Sequence, residues 1–209
     1  MTFGLVKHNN NSISAITSAG QLAQGKMTLI KEQTASSSSS ISFVDGSSDV
    51  VLDSTYPIYL FKFINCHPSS DNVGFKFNMS ADTGSNYNVT KTSSVFADYH
   101  YESGSSAALA YASAVDLAQS TSDQQISGGV GSDNDQSANG SLFIFSPSST
   151  TFVKHFIAVM QVSGGDNRSL RYHTAGYGNT TSAVDAIQFK FASGNIDAGT
   201  IKLYGIKGS

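Results

Sequence analysis

Charge is scarce in this chain. Of its 209 residues only 13% are Asp, Glu, Lys or Arg, about half the usual share for a soluble domain. Glutamate is nearly missing, with Glu32 and Glu102 the only two, and the aspartates fall mostly in turn contexts. No pair of carboxylates stands out to bracket a cleft, as glycoside hydrolysis requires. The 12 Lys and Arg residues are scattered and leave a net charge of -3. A phosphate-backbone binder needs a clustered basic face, so a nucleic-acid partner is not expected. Cys66 is the single cysteine, which excludes a disulfide within the chain and a multi-cysteine zinc site. It lies in an apolar stretch, where cysteine acts as a small hydrophobe. No run approaches the ~20 apolar residues of a membrane span, and MTFGLVKHNNNSIS at the N-terminus lacks the pattern of a secretory signal.

Motifs for chemistry are equally thin. The five histidines (His8, His67, His100, His155 and His173) are dispersed, and none pairs at a metal-ligand spacing. There is no nucleophile elbow, P-loop or dinucleotide fingerprint. Asp133-Asn134-Asp135 resembles the start of a calcium loop, but the following glycine and the distal glutamate are missing. The expectation is no catalytic residue, no metal, no cofactor and no enzyme.

What is present is strand-forming sequence between clusters of Ser, Thr, Asn and Gly. Residues 56–68 (YPIYLFKFINCHP), 151–162, 184–191 and 200–206 are rich in aromatic and β-branched residues, which predicts many antiparallel strands in a sandwich or barrel. Phe61 and Phe63, Phe75 and Phe77, and Phe189 and Phe191 each flank a lysine. That period of two puts both rings of a pair on one sheet face, toward a shared core, with the lysine toward water. The turn HPSSDN between the first two pairs predicts a hairpin or a corner between sheets.

Residues 1–40 read as an N-terminal arm and linker, with 41–209 as the sandwich. Phe3, Leu5, Val6, Ile13 and Ile16 are candidate docking residues that add to a neighbouring subunit's surface. An ordinary first strand with a tail fits the same pattern. The serine run 36–40 suits a linker or the start of a strand. Residues 107–118 are alanine-rich and suit a helical turn. Residues 126–140 read as a long polar loop, and 122–140 as an outward tip. Gly164-Gly165-Asp166-Asn167 predicts a hairpin tip, and Gly176–Asn179 another turn. Asp98, Tyr99 and Tyr101 form the one cluster with recognition chemistry, since a tyrosine offers an apolar ring and a hydroxyl to a sugar or a protein groove. A strand whose tyrosines pack under a loop accounts for it as well.

Several stretches together resemble a known family. They are SSSSISFVDG (37–46), LDSTYPIYLFKFINCHPSSDNVGFKFNMS (52–80), NYNVTKT (86–92), DLAQST (116–121), SPSSTTFVKHF (146–156) and AGYGNTTSAVDAIQFKFASGNIDAGTIKLYGI (175–206). This pattern resembles virion structural proteins of marine tailed bacteriophages, including those of cyanobacteria and other pelagic bacteria. The resemblance implies a jelly-roll β-sandwich on the particle surface, assembled in the bacterial cytoplasm, with no catalytic residues. It implies as partners the major capsid protein or tail proteins, and a homo-oligomer such as a trimer. Capsid decoration is the leading expectation, and a tail-fibre head or host-glycan-binding module the alternative. A hydroxyl-rich, charge-poor surface fits such a setting, because seawater salt screens ion pairs beyond a few ångströms.

Overall fold

The computed structural model describes residues 27–207, which form an all-β protein of twelve antiparallel strands with no helix among them. In chain order they are β1 (Met27–Thr34), β2 (Ile41–Val44), β3 (Ile58–Pro68), β4 (Val73–Ser80), β5 (Lys91–Tyr101), β6 (Ala107–Tyr111), β7 (Gln124–Val130), β8 (Ala138–Phe145), β9 (Lys154–Gly164), β10 (Arg168–Gly178), β11 (Ala186–Phe191) and β12 (Ile196–Ile206). Eight of them define the topology. β1 pairs with β12, β2 with β11, β3 with β8 and β4 with β7. First joins last and each inner pair follows, as in a long hairpin rolled up. Cross-pairing of β12 with β3 and of β11 with β4 closes two sheets, β1-β12-β3-β8 and β2-β11-β4-β7. That order is a jelly roll.

The other four strands enlarge one sheet. β9 and β10 continue from β8, then β5 pairs with β10 and β6 with β5, giving the eight-stranded order β1-β12-β3-β8-β9-β10-β5-β6. A single bridge, Val130 to Gly164, ties it to the smaller sheet along one side.

The paired phenylalanines form the core between the sheets, as their spacing predicts. Phe61, Phe63, Phe75, Phe77, Phe189 and Phe191 are all buried. Phe189 is the hub: its ring lies 5.0 Å from Phe61, 5.1 Å from Phe63, 6.0 Å from Phe75 and 6.2 Å from Phe43. Most of these contacts are edge-on, the arrangement that ring quadrupoles favour. Lys62 between the first pair faces water, and Lys190 between the last pair reaches Asp123 at 2.8 Å. HPSSDN is the corner rather than a hairpin, because β3 and β4 lie in different sheets.

Several expectations are corrected. The sandwich begins at residue 27, not 41, because β1 pairs along its length with β12. The serine run is no linker: Ser37 Oγ donates to Asp197, the Ser38 N–H donates to the Ile196 carbonyl, and Ala35 is buried. Phe3, Leu5, Val6, Ile13 and Ile16 lie outside the described residues. Residues 107–111 form strand β6 instead of a helical turn, because the free edge of β5 offers backbone partners that outweigh alanine's modest helix preference. Residues 124–130 are a largely buried strand, not an outward loop. Their glycines serve close packing: a Cβ on Gly128 would sit 2.8 Å from the Tyr172 ring. The Ser127 hydroxyl meets the Phe75 N–H at 2.8 Å. The most exposed stretch is instead residues 102–111. Gly176 to Gly178 complete β10 rather than turning, whereas residues 164–167 are the hairpin tip, with Asn167 at a φ of 58°. At the bulge joining β12 to β3, Gly199 takes a φ of 119°, and a Cβ there would stand 2.7 Å from the Asn65 carbonyl oxygen.

Phe189→Ala should remove the hub of the ring cluster and lower stability by roughly 3–5 kcal/mol, read from chemical denaturation. A loss near that of an exposed residue would contradict the central place of this ring.

Candidate functional site

Strand alternation splits the Asp98, Tyr99, Tyr101 cluster. On β5, Lys91, Val95, Tyr99 and Tyr101 share the inner face, and Asp98 points outward with Phe96. Tyr99 and Tyr101 meet edge to face at 5.6 Å, and the Arg168 guanidinium lies over both rings at 5.4 and 5.6 Å. Asp166 holds Arg168 at 2.8 Å and accepts from the Tyr101 hydroxyl at 3.4 Å. The ring faces that could stack on a sugar are therefore taken by an arginine of the same chain. Tyr99 also packs against the core. On the other face Asp98 pairs with Arg171 across the strands at 2.9 Å. The three residues do not converge on one ligand.

The broader feature is the outer face of the eight-stranded sheet. Register places Val159, His173, Phe96 and Tyr111 in one row across β9, β10, β5 and β6. The next row runs from Phe143 through Ile157 to Ala175. Beyond β8 the same row continues through Leu60 and Tyr204 to Leu29 on β1. Phe96, Tyr111, Ile157 and Val159 are 36–52% exposed and Leu109 is 74% exposed. These side chains line shallow hollows, one of about 280 Å³ between Phe96 and Ile157 and one of about 450 Å³ between Phe145 and Tyr177. Of the charges bordering the band, Arg171 pairs with Asp98 and Lys202 with Glu32 at 2.9 Å, while Lys62 faces water beside Lys202. Isolated exposed apolar residues are ordinary, but a contiguous band of them marks an interaction surface. Only strand pairing assembles this face, because its residues come from eight separate strands.

A polar cleft of about 500 Å³ lies at the bulged end of β3 and β12, lined by Asn65, His67, Asn134, Asp135, Gln136 and Asp197. His67 Nδ1 sits 2.7 Å from the Gln136 carbonyl, and since a carbonyl only accepts, Nδ1 donates. The Asp133 turn closes on itself through Gln136. Among the described residues no three His, Cys, Asp or Glu side chains come together to hold a metal.

Cys66 is fully buried in the core, and burial pushes its thiol up to about 12. Since the thiolate is the reactive form, folded protein should resist iodoacetamide at neutral pH and react only on unfolding, as followed by mass. Labelling in the native state would place Cys66 in an open environment. Compared with known proteins, the chain matches no family model, no curated protein and no solved structure.

Proposed function

We propose that this chain is a non-enzymatic structural protein of a bacteriophage particle, displayed on the capsid surface as a homo-oligomer. The observation that carries the reading is the charge-poor apolar band across the outer face of the enlarged sheet. Eight strands span about 34 Å, a width that suits the ~800 Å² each partner covers in a stable complex. Because Arg171 and Lys202 already have carboxylate partners within the chain and the band itself is apolar, the surface asks chiefly for an apolar partner. A second copy of the same face supplies that. The jelly roll adds a rigid frame that buries its own core without help, so the band is free for association. The sequence resemblance to phage virion proteins supplies the setting, with capsid or tail proteins as further partners and the sequence before β1, including Phe3, Leu5, Val6, Ile13 and Ile16, as the attachment.

Purified protein should sediment as an oligomer, and Ile157→Asp combined with Val159→Asp should yield a folded monomer. Peptides of this chain should be recovered from purified particles. A monomeric wild type would overturn the interface, and absence from particles would overturn the virion role.

A second reading, recognition of a host-surface glycan, is favoured by the polar cleft, which amides, carboxylates and the His67 imidazole line together. It predicts a hit on a glycan array that Asp197→Ala abolishes. Binding unaffected by that change would remove the cleft from consideration.

A further inference from the structure

A buried lysine lies against a buried asparagine where the chain crosses from β4 to β5. Lys91 is fully buried and Asn78 is 2% exposed, an unusual fate for a lysine with no carboxylate bonded to it. Lys91 Nζ is 2.5 Å from Asn78 Oδ1 and 2.7 Å from the Val89 carbonyl. The same Asn78 oxygen accepts the Met79 N–H at 2.9 Å. On the other side of the carboxamide, Asn78 Nδ2 donates to the Thr121 carbonyl at 3.1 Å and to Asp123 Oδ1 at 2.9 Å. The amine therefore faces a carboxamide whose oxygen is polarised by a backbone donor and whose nitrogen touches a carboxylate.

We infer that Lys91 and Asn78 are the partners of an intramolecular isopeptide bond, with Asp123 as the proton carrier. The Nζ lone pair attacks Asn78 Cγ, and the carbonyl π pair moves onto Oδ1, where the Met79 N–H stabilises it. A proton passes from Nζ to the Asp123 carboxylate and on to Nδ2. The oxygen pair then re-forms the carbonyl as the Cγ–Nδ2 bond breaks. Ammonia leaves, Asp123 is regenerated as carboxylate, and no oxidant or cofactor takes part.

The surroundings suit each role. Burial lowers Lys91 to about 8, against the opposing pull of Asp123, so about a tenth of the molecules hold the neutral amine at pH 7. Burial alone would raise Asp123, but hydrogen bonds from Lys190 and Asn78 outweigh it and hold the group below its usual value. It is then ionised and ready to accept a proton. The charged groups facing the site are Asp123 from the segment before β7, Lys190 from β11 and Lys76 from β4. Lys154, the other described lysine with no exposed surface, bonds the carbonyls of Phe152 and Thr180 rather than a carboxamide. The contrast locates the chemistry at Lys91.

The test is the mass of the wild-type protein, so no variant need fold. Trypsin followed by an endoproteinase that cuts before Asp82 should leave the pieces carrying Asn78 and Lys91 joined, lighter by one ammonia than their sum. Trypsin should also fail to cut after Lys91. Asp123→Asn is expected to slow the linkage, leaving a mixture that matures faster at pH 9 than at pH 7. Separate pieces of unchanged mass after long incubation at pH 9 would overturn the inference. So would a Lys91 amine that is acylated as readily as any other lysine once the protein is unfolded.

Discussion

Ring packing between two curved sheets is the constraint on which the rest of this structure depends. Phe61 and Phe63 come from the large sheet, and Phe43, Phe75 and Phe189 from the small one, meeting at Phe189. Each sheet has one apolar face that water would otherwise touch, and only their apposition removes it. The rolled pairing follows from this need. With β1 on β12 and β2 on β11, residues far apart in the chain arrive at the same core layer. Phe77 on Phe156 at 5.1 Å then carries the same packing onto β9, which anchors the added strands.

Those added strands change what the molecule can do. An eight-stranded sheet covered on one side by four strands overhangs its partner. Tyr172 fills part of the overhang by lying over Gly128, and Arg168 with its two tyrosines closes more of it. The outer face gains area that no described strand covers. A chain with so few charges has little with which to keep that face from associating, which is the physical basis for reading it as an assembly surface.

Several polar groups inside the fold are met by specific partners, though Gln124 Oε1 and Thr174 Oγ1 are buried without one. Ser127 bonds the Phe75 N–H, Lys154 is held by two carbonyls, and the Tyr59 hydroxyl donates to the Asp53 carbonyl at 2.9 Å. Lys91 belongs to this group by burial but differs in what it faces. A carbonyl from the backbone is an inert acceptor, whereas a side-chain carboxamide beside a carboxylate is a potential acyl donor.

The all-β class, the turn after Pro68 (hairpin or corner), the hairpin tip at residues 164–167 and the six core phenylalanines were legible from the sequence. All rest on local pattern: period-two alternation and turn residues act over a few positions. Alanine in β6 and glycine in β7 misled, because the first is decided by the edge of β5 and the second by the ring of Tyr172. Neither neighbour is close in sequence. Asp98, Tyr99 and Tyr101 are close in the chain, yet the pleat sends Asp98 to the face opposite the two tyrosines, and Arg168 lies over both rings. The apolar outer band and the meeting of Lys91, Asn78 and Asp123 had no signal of their own, since each is made of residues brought together by strand register. Composition and local alternation determined which segments became strands and which rings went inside. Tertiary pairing alone decided which side chains share a surface, because contacts between distant segments exist only once the sheets have rolled together.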